Sequence, residues 1–145
     1  MADDVGVEES DWLRQRRRAI SAHAAELQRQ EAADSERAAA MLVEFAHTAR
    51  ARGLPTVALV ARSHDGRQRY RTGLRGWYLR PDGVIAVGED GRFYVLSVQR
   101  SLRALVTGAR LQPSRPRLVL GEGGRDGERM PLRAQLDSLL DDPSG

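Results

Sequence analysis

The chain has 145 residues, a length that predicts one domain rather than two, and carries 23 basic against 20 acidic residues. Every basic residue is Arg, and there is no Lys, Asn or Cys. Disulfides, thiol nucleophiles and thiolate metal sites are thereby excluded, as are a Schiff-base lysine and a lysine-bearing phosphate loop. Absence of Lys and Asn beside plentiful Ala, Arg, Gly and Leu reads as codon bias, pointing to a high-GC bacterium. With 41% hydrophobic and only 5% aromatic residues, the expected core is aliphatic and alanine-rich. No apolar run approaches the roughly 20 residues of a membrane span. Residues 1–11 are acidic and lack the apolar stretch of a signal peptide, so a cytoplasmic location is expected.

Residues 1–9 read as a disordered acidic terminus. From Val7 to Arg52 there is neither Gly nor Pro, which predicts a helical region over 10–53. Ser10 suits an N-cap, with Asp11 in the first turn. Leu13, Ile20 and Leu27 recur every seven residues, and with Trp12 they make a narrow apolar seam flanked by Arg14, Arg16, Arg17 and Arg18. Such a seam fits docking along another helix better than burial in a core. Asp34-Ser35-Glu36 resembles a cap, leaving either one long helix or a helical hairpin. Beyond it, Ala38, Met41, Leu42, Phe45 and Ala49 form a helix face that must pack, until Gly53 and Pro55 end the helix.

From Thr56 the periodicity becomes extended. Val57 to Ala61 is a continuous apolar run, as in a strand covered on both faces. Asp65-Gly66, Asp82-Gly83 and Asp90-Gly91 are hairpin signals, with strands expected over 68–79, 84–87 and 92–98. Gly73 and Gly76 interrupt the second of these strands, and one of them is expected to mark a bulge. Residues 101–107 suggest a short helix with Leu102, Leu105 and Val106 inward. Leu118 to Leu120 suggests a fifth strand. Gly121 to Gly127 reads as a Gly-rich loop, and Pro131 opens a last helix with an apolar stripe of Leu132, Leu136, Leu139 and Leu140. The expected fold is α+β: a long N-terminal helix or helical hairpin, an antiparallel meander of four or five strands over 54–120, and a C-terminal helix within 121–145 packed on the sheet. Residues 10–140 are expected to form one domain.

Charge is distributed unevenly. Residues 1–53 carry a net of −2, residues 54–120 a net of +8, and residues 121–145 a net of −3. Arg67, Arg69, Arg71 and Arg75 share one strand parity while Tyr70, Thr72 and Leu74 take the other. Four guanidiniums on one sheet face would grip phosphate, with Trp77, Tyr78 or Tyr94 as stacking surface. Alternatively they solvate an exposed face, or pair with the chain's own acidic helices.

His23, His47 and His64 have no second ligand at metal spacing, so neither a metal site nor a cofactor is expected. The Gly-rich segment carries Glu122 and Asp126, which repel phosphate, and Glu89-Asp90 reads as turn chemistry. Trp77-Tyr78-Leu79 is the tripeptide that gives WYL domains their name, a resemblance of three residues on one strand that implies no membership by itself. Without a catalytic constellation, the expected function is a non-catalytic protein-protein interaction or adaptor module. Its partner-binding residues are Trp12, Leu13, Ile20 and Leu27, with self-association through the N-terminal helix. A nucleic-acid-binding regulator using Arg67, Arg69, Arg71 and Arg75 is the alternative, and a small enzyme the third reading.

Overall fold

Helix α1 spans Ala2–Ala51 in the computed structural model, which describes residues 2–117, 119–120 and 130–141. It starts upstream of Ser10 and runs through Asp34-Ser35-Glu36, so the alternative of a helical hairpin does not form. A capping side chain stabilises a helix start by about 1 kcal/mol, too little to interrupt a stretch without Gly or Pro. The chain divides into two units, Met1–Asp34 and Ser35–Gly145. The first consists of the N-terminal part of α1. The second holds the rest of α1 and every other element, and the fold is α+β.

The strands of the larger unit are β1 (Val57–Ser63), β2 (Arg69–Tyr78), β3 (Ile85–Gly88), β4 (Phe93–Val95) and β5 (Ser97–Val98). After them come α2 (Leu102–Thr107), β6 (Val119–Leu120), β7 (Met130–Pro131) and α3 (Leu132–Asp141). All three Asp-Gly pairs fold the chain by the same chemistry. In each, the Asp Oδ1 accepts the N–H two residues on, from Arg67 at 3.0 Å, Val84 at 3.0 Å and Arg92 at 2.9 Å. Gly66, Gly83 and Gly91 each take a φ near +75°, where a side chain is strained.

The sheet order is β4-β3-β2-β1-β5, and it is mixed where an antiparallel meander was expected. β1–β4 pair antiparallel, but β5 runs parallel to β1, with Arg62 opposite Ser97 and Ser63 opposite Val98. β4 and β5 lie at opposite ends of that order, yet only Leu96 separates them along the chain. The Leu96 N–H donates to the Val84 carbonyl at 2.6 Å, and its carbonyl accepts from the Arg62 N–H at 2.8 Å. The two ends of the sheet therefore meet at one residue. The strand expected at 118–120 belongs elsewhere: Val119–Leu120 pairs with Met130–Pro131 in a separate two-stranded ladder. The Gly-rich loop lies outside the described residues.

Two cores follow from strand parity. Inside the curled sheet lie Leu59, Ala86, Tyr94 and Leu96, with Leu74, Tyr78 and Leu111 against them. On the outer face, Trp77, Leu79, Val87 and Phe93 pack under Ala38, Leu42, Phe45, Ala46 and Ala49 of α1 and under Leu132 and Leu136 of α3. Phe45 meets Trp77 edge to face, with centroids 5.5 Å apart, a geometry worth about 0.5–1.5 kcal/mol beyond burial. β1 is not covered on both faces as its apolar run suggested. Val57 and Ala58 are exposed, and burial alternates through Leu59, Ala61 and Ser63. Leu102, Leu105 and Val106 of α2 are likewise exposed instead of inward. The helix ends are tied to β2 by the Ser101 N–H donating to the Tyr70 hydroxyl and the Ala109 N–H to the Arg71 carbonyl, which turns the apolar face outward.

Gly73 and Gly76 have different jobs. Gly73, at φ +73°, lies in an irregularity where Ala58 faces Arg75 but Val60 faces Arg71, leaving three residues of β2 against one of β1. Gly76 faces Gly88, and a Cβ there would lie 2.1 Å from the Val87 carbonyl oxygen. Gly76→Ala must push β2 and β3 apart and should cost roughly 3 kcal/mol, whereas Gly73→Ala, with open space around it, should cost about 1–2 kcal/mol of backbone strain. Urea unfolding of both variants checks the order; an equal or smaller loss for Gly76→Ala would contradict this close approach.

Candidate functional site

Two surfaces hold the residues singled out by sequence, one in each unit. In the first unit, Trp12, Leu13, Ile20 and Leu27 are 57%, 46%, 62% and 46% exposed. Leu13, Ile20 and Leu27 stay on one line because a seven-residue repeat drifts by only about 20° per heptad on an α-helix. The Arg16 guanidinium lies 5.4 Å from the centroid of the Trp12 ring, covering one face of it. Arg29 pairs with Glu26 at 2.6 Å, a surface contact of small energetic value.

In the second unit, the β1–β2 register places Arg69 opposite Arg62, Arg71 opposite Val60 and Arg75 opposite Ala58. These residues continue the parity of Trp77 and Leu79, so they lie on the outer face of the sheet. One end of that face is apolar and packed under α1 and α3; the other end is basic and exposed. Tyr70, of the opposite parity, is only 1% exposed. Arg67 stands apart from the strand, in the turn that precedes β2. Arg75 is already engaged, donating to the Thr56 hydroxyl and carbonyl at 3.2 and 2.9 Å, with Glu89 at 3.9 Å. Among the described residues no sheet Arg pairs with a helical carboxylate. Arg62, Arg69 and Arg71 make no ion pair there.

Arg62 belongs to β1 and so lies outside the parity set of residues 67–75. Its signal is the Asp65-Gly66 turn, about which Arg62 and Arg69 are symmetric in number. Like charges directly opposite one another on a sheet are unfavourable, by roughly 0.2–1 kcal/mol. Beside Arg62 a groove of about 440 Å³ runs past Val60, Tyr78 and Arg80 to Gln135 and Leu139 of α3. Arg80 is held by Asp82 at 2.9 Å.

The aromatic rings do not join this surface. Trp77, Phe93 and Tyr94 are buried and Tyr78 is half-buried, its hydroxyl accepting the Val60 N–H at 3.1 Å. Tyr94 donates to Asp90 at 2.9 Å, and burial, then that carboxylate, pushes its phenol above the usual value. Asp90 is thus occupied by the turn and by Tyr94. His23 and His47 are exposed, and His64 Nδ1 lies 2.8 Å from the Ser97 hydroxyl. Among the described residues there is no group of three or more His, Asp or Glu able to hold a metal. No protein-family model matches the chain, and comparison with curated proteins and with solved structures finds none that matches it.

The turn that fixes the Arg62–Arg69 register rests on Asp65. Its carboxylate accepts from the buried Ser63 hydroxyl and from the Arg67 N–H, while Ser63 accepts the Gln68 N–H at 3.1 Å. These bonds, the Ser63 hydroxyl foremost, hold the Asp65 carboxyl below its ordinary value of 3.8. A depressed carboxyl stabilises the fold above the unfolded value, and that stabilisation is lost as pH falls through the folded value. Asp65→Ala should therefore unfold at lower urea than wild type near neutral pH, with the gap closing as pH falls below 3.8 and through the lowered folded value. A gap independent of pH would separate the turn from the charge on Asp65.

Proposed function

We propose that this protein is a non-catalytic cytoplasmic interaction module, an adaptor that associates through Trp12, Leu13, Ile20 and Leu27 with a second copy of itself. The observation that supports this reading is the exposure of Leu13, Ile20 and Leu27 at heptad spacing along one helix, with Trp12 exposed beside them. Burying each would contribute roughly 1.5–3 kcal/mol before the costs of association. Arg14, Arg16, Arg17 and Arg18 flank the seam and favour acidic positions on the facing helix, as Glu26 and Glu31 would supply in an antiparallel copy. Sedimentation velocity tests it: wild type should sediment as a dimer or larger, and the Leu13→Asp/Leu27→Asp double variant as a monomer. Monomeric behaviour of both would remove self-association.

A second reading, nucleic-acid binding, has its own observation. Arg62 and Arg69 face each other across β1 and β2, with Arg71 on the same face and no described acid paired to any of the three. Such a face suits phosphate oxygens, which guanidinium groups bind in two-point fashion. With the sheet's rings buried inside it or under the helices, binding would be to the backbone and insensitive to sequence. Arg62→Ser/Arg69→Ser/Arg71→Ser should then weaken binding and flatten its salt dependence, by up to about 0.9 in log–log slope for each phosphate no longer neutralised. A flat titration of wild type with duplex and single strands at low salt would end this reading.

A further inference from the structure

Short helix α2 turns the wrong way for a helix of a folded body. Ser101 caps it, accepting the Ala104 N–H at 3.2 Å, and Gly108 ends it with its N–H on the Ala104 carbonyl at 2.9 Å. Both flanks are fastened to β2, through Ser101 to the Tyr70 hydroxyl at 3.0 Å and through Ala109 to the Arg71 carbonyl at 2.7 Å. Gly108 sits so close that a Cβ there would lie 2.8 Å from the Arg71 carbonyl oxygen. Ala104 is half-buried, while Leu102 and Val106 are each 79% exposed and Leu105 is 45% exposed. Positions i, i+3 and i+4 share a helix face, so three large aliphatic side chains form one outward knob.

The surroundings of that knob are basic. Arg100, Arg103 and Arg110 are exposed, and none forms an ion pair with a described residue. Arg71 adjoins the end of α2. Asp65, the acid that feels Arg100, is engaged by Ser63 and the Arg67 N–H. Beside the knob lies a groove of about 460 Å³ whose lining includes Ser101, Arg103, Thr107 and Arg110.

We infer that α2 is a docking site for an anionic lipid surface: Leu102, Leu105 and Val106 enter the acyl boundary while Arg103 and Arg110 take headgroup phosphates at the groove. A protruding aliphatic knob flanked by guanidiniums matches the two layers of such a surface, apolar within and anionic at the rim. A nucleic acid uses the arginines but gains nothing from three aliphatic side chains, and the ring that meets the start of α2, Tyr70, is buried. A protein partner would have to offer a pocket that is apolar at its floor and acidic all round. No helix among the described residues is long and apolar enough to cross a membrane, so the attachment is peripheral and reversible. It depends on different residues from those of the seam on α1, and either can fail without the other.

The test is flotation of the full chain with vesicles of phosphatidylcholine alone and of phosphatidylcholine with phosphatidylglycerol in equal parts. Binding is expected only to the anionic vesicles. Arg103→Gln/Arg110→Gln should weaken it about fivefold per Arg, the equivalent of about 1 kcal/mol each near an anionic surface. Leu102→Ser/Val106→Ser alters exposed side chains only, so circular dichroism should match wild type while vesicle binding falls at least tenfold. Soluble glycerol phosphate should not compete, which separates a lipid surface from a free phosphate as the ligand. Failure of wild type to float with anionic vesicles overturns the inference. So does undiminished binding of Leu102→Ser/Val106→Ser, or displacement by duplex DNA that is as effective against that variant as against wild type.

Discussion

Leu96 holds the sheet of the larger unit closed. Its N–H donates to Val84, beside β3, and its carbonyl accepts from Arg62 of β1, so one residue belongs to both ends of a five-stranded array. That double engagement explains why β4 and β5, consecutive in sequence, have different partners and different directions. The curl it imposes creates an inside for Leu59, Ala86, Tyr94 and Leu96 itself, which is 1% exposed. The outer face, carrying Trp77, Leu79, Val87 and Phe93, is left for α1 and α3 to cover.

From this geometry comes the division of the surface. The helices reach the part of the outer face at the end of β2, at Trp77 and the following Leu79, and they leave the part where it reads Arg69 and Arg71. The same edge of β2 that lacks β3 as a neighbour is taken by the chain around α2, through Tyr70 and Arg71. Basic groups and the outward aliphatic knob of α2 therefore arise from one arrangement. Each is a by-product of which backbone edge was left to be filled.

Local chemistry made much of this readable. Three Asp-Gly dipeptides fixed three turns, because Asp accepts the N–H two residues later and Gly takes the positive φ. The absence of Gly and Pro from 7 to 52 fixed a helix, and the leucine stripe after Pro131 fixed the last one. What could not be read depends on partners distant in sequence. The parallel pairing of β5 follows from the bend at Leu96, which carries no Gly or Pro to announce it. The orientation of α2 follows from a tyrosine hydroxyl and a carbonyl some 31 residues or more upstream. Periodicity alone assigned its apolar face to the interior, as amphipathic patterns do when the binding of the helix ends is unknown. Parity did mark Arg69 and Arg71, but Arg62 emerges only once the turn at Asp65 sets the register.

The join at Leu96 has a further consequence. A sheet with unpaired outer strands invites other chains to extend it through backbone hydrogen bonds, a route to uncontrolled stacking. Here the last strands end on each other, Phe93 bonds Ser114, and Arg71 bonds Ala109. At these positions the backbone is already engaged and offers no template for strand addition. Where these edges are filled, contacts with other molecules fall to side chains, whose identity a few substitutions can change without disturbing the ladder beneath.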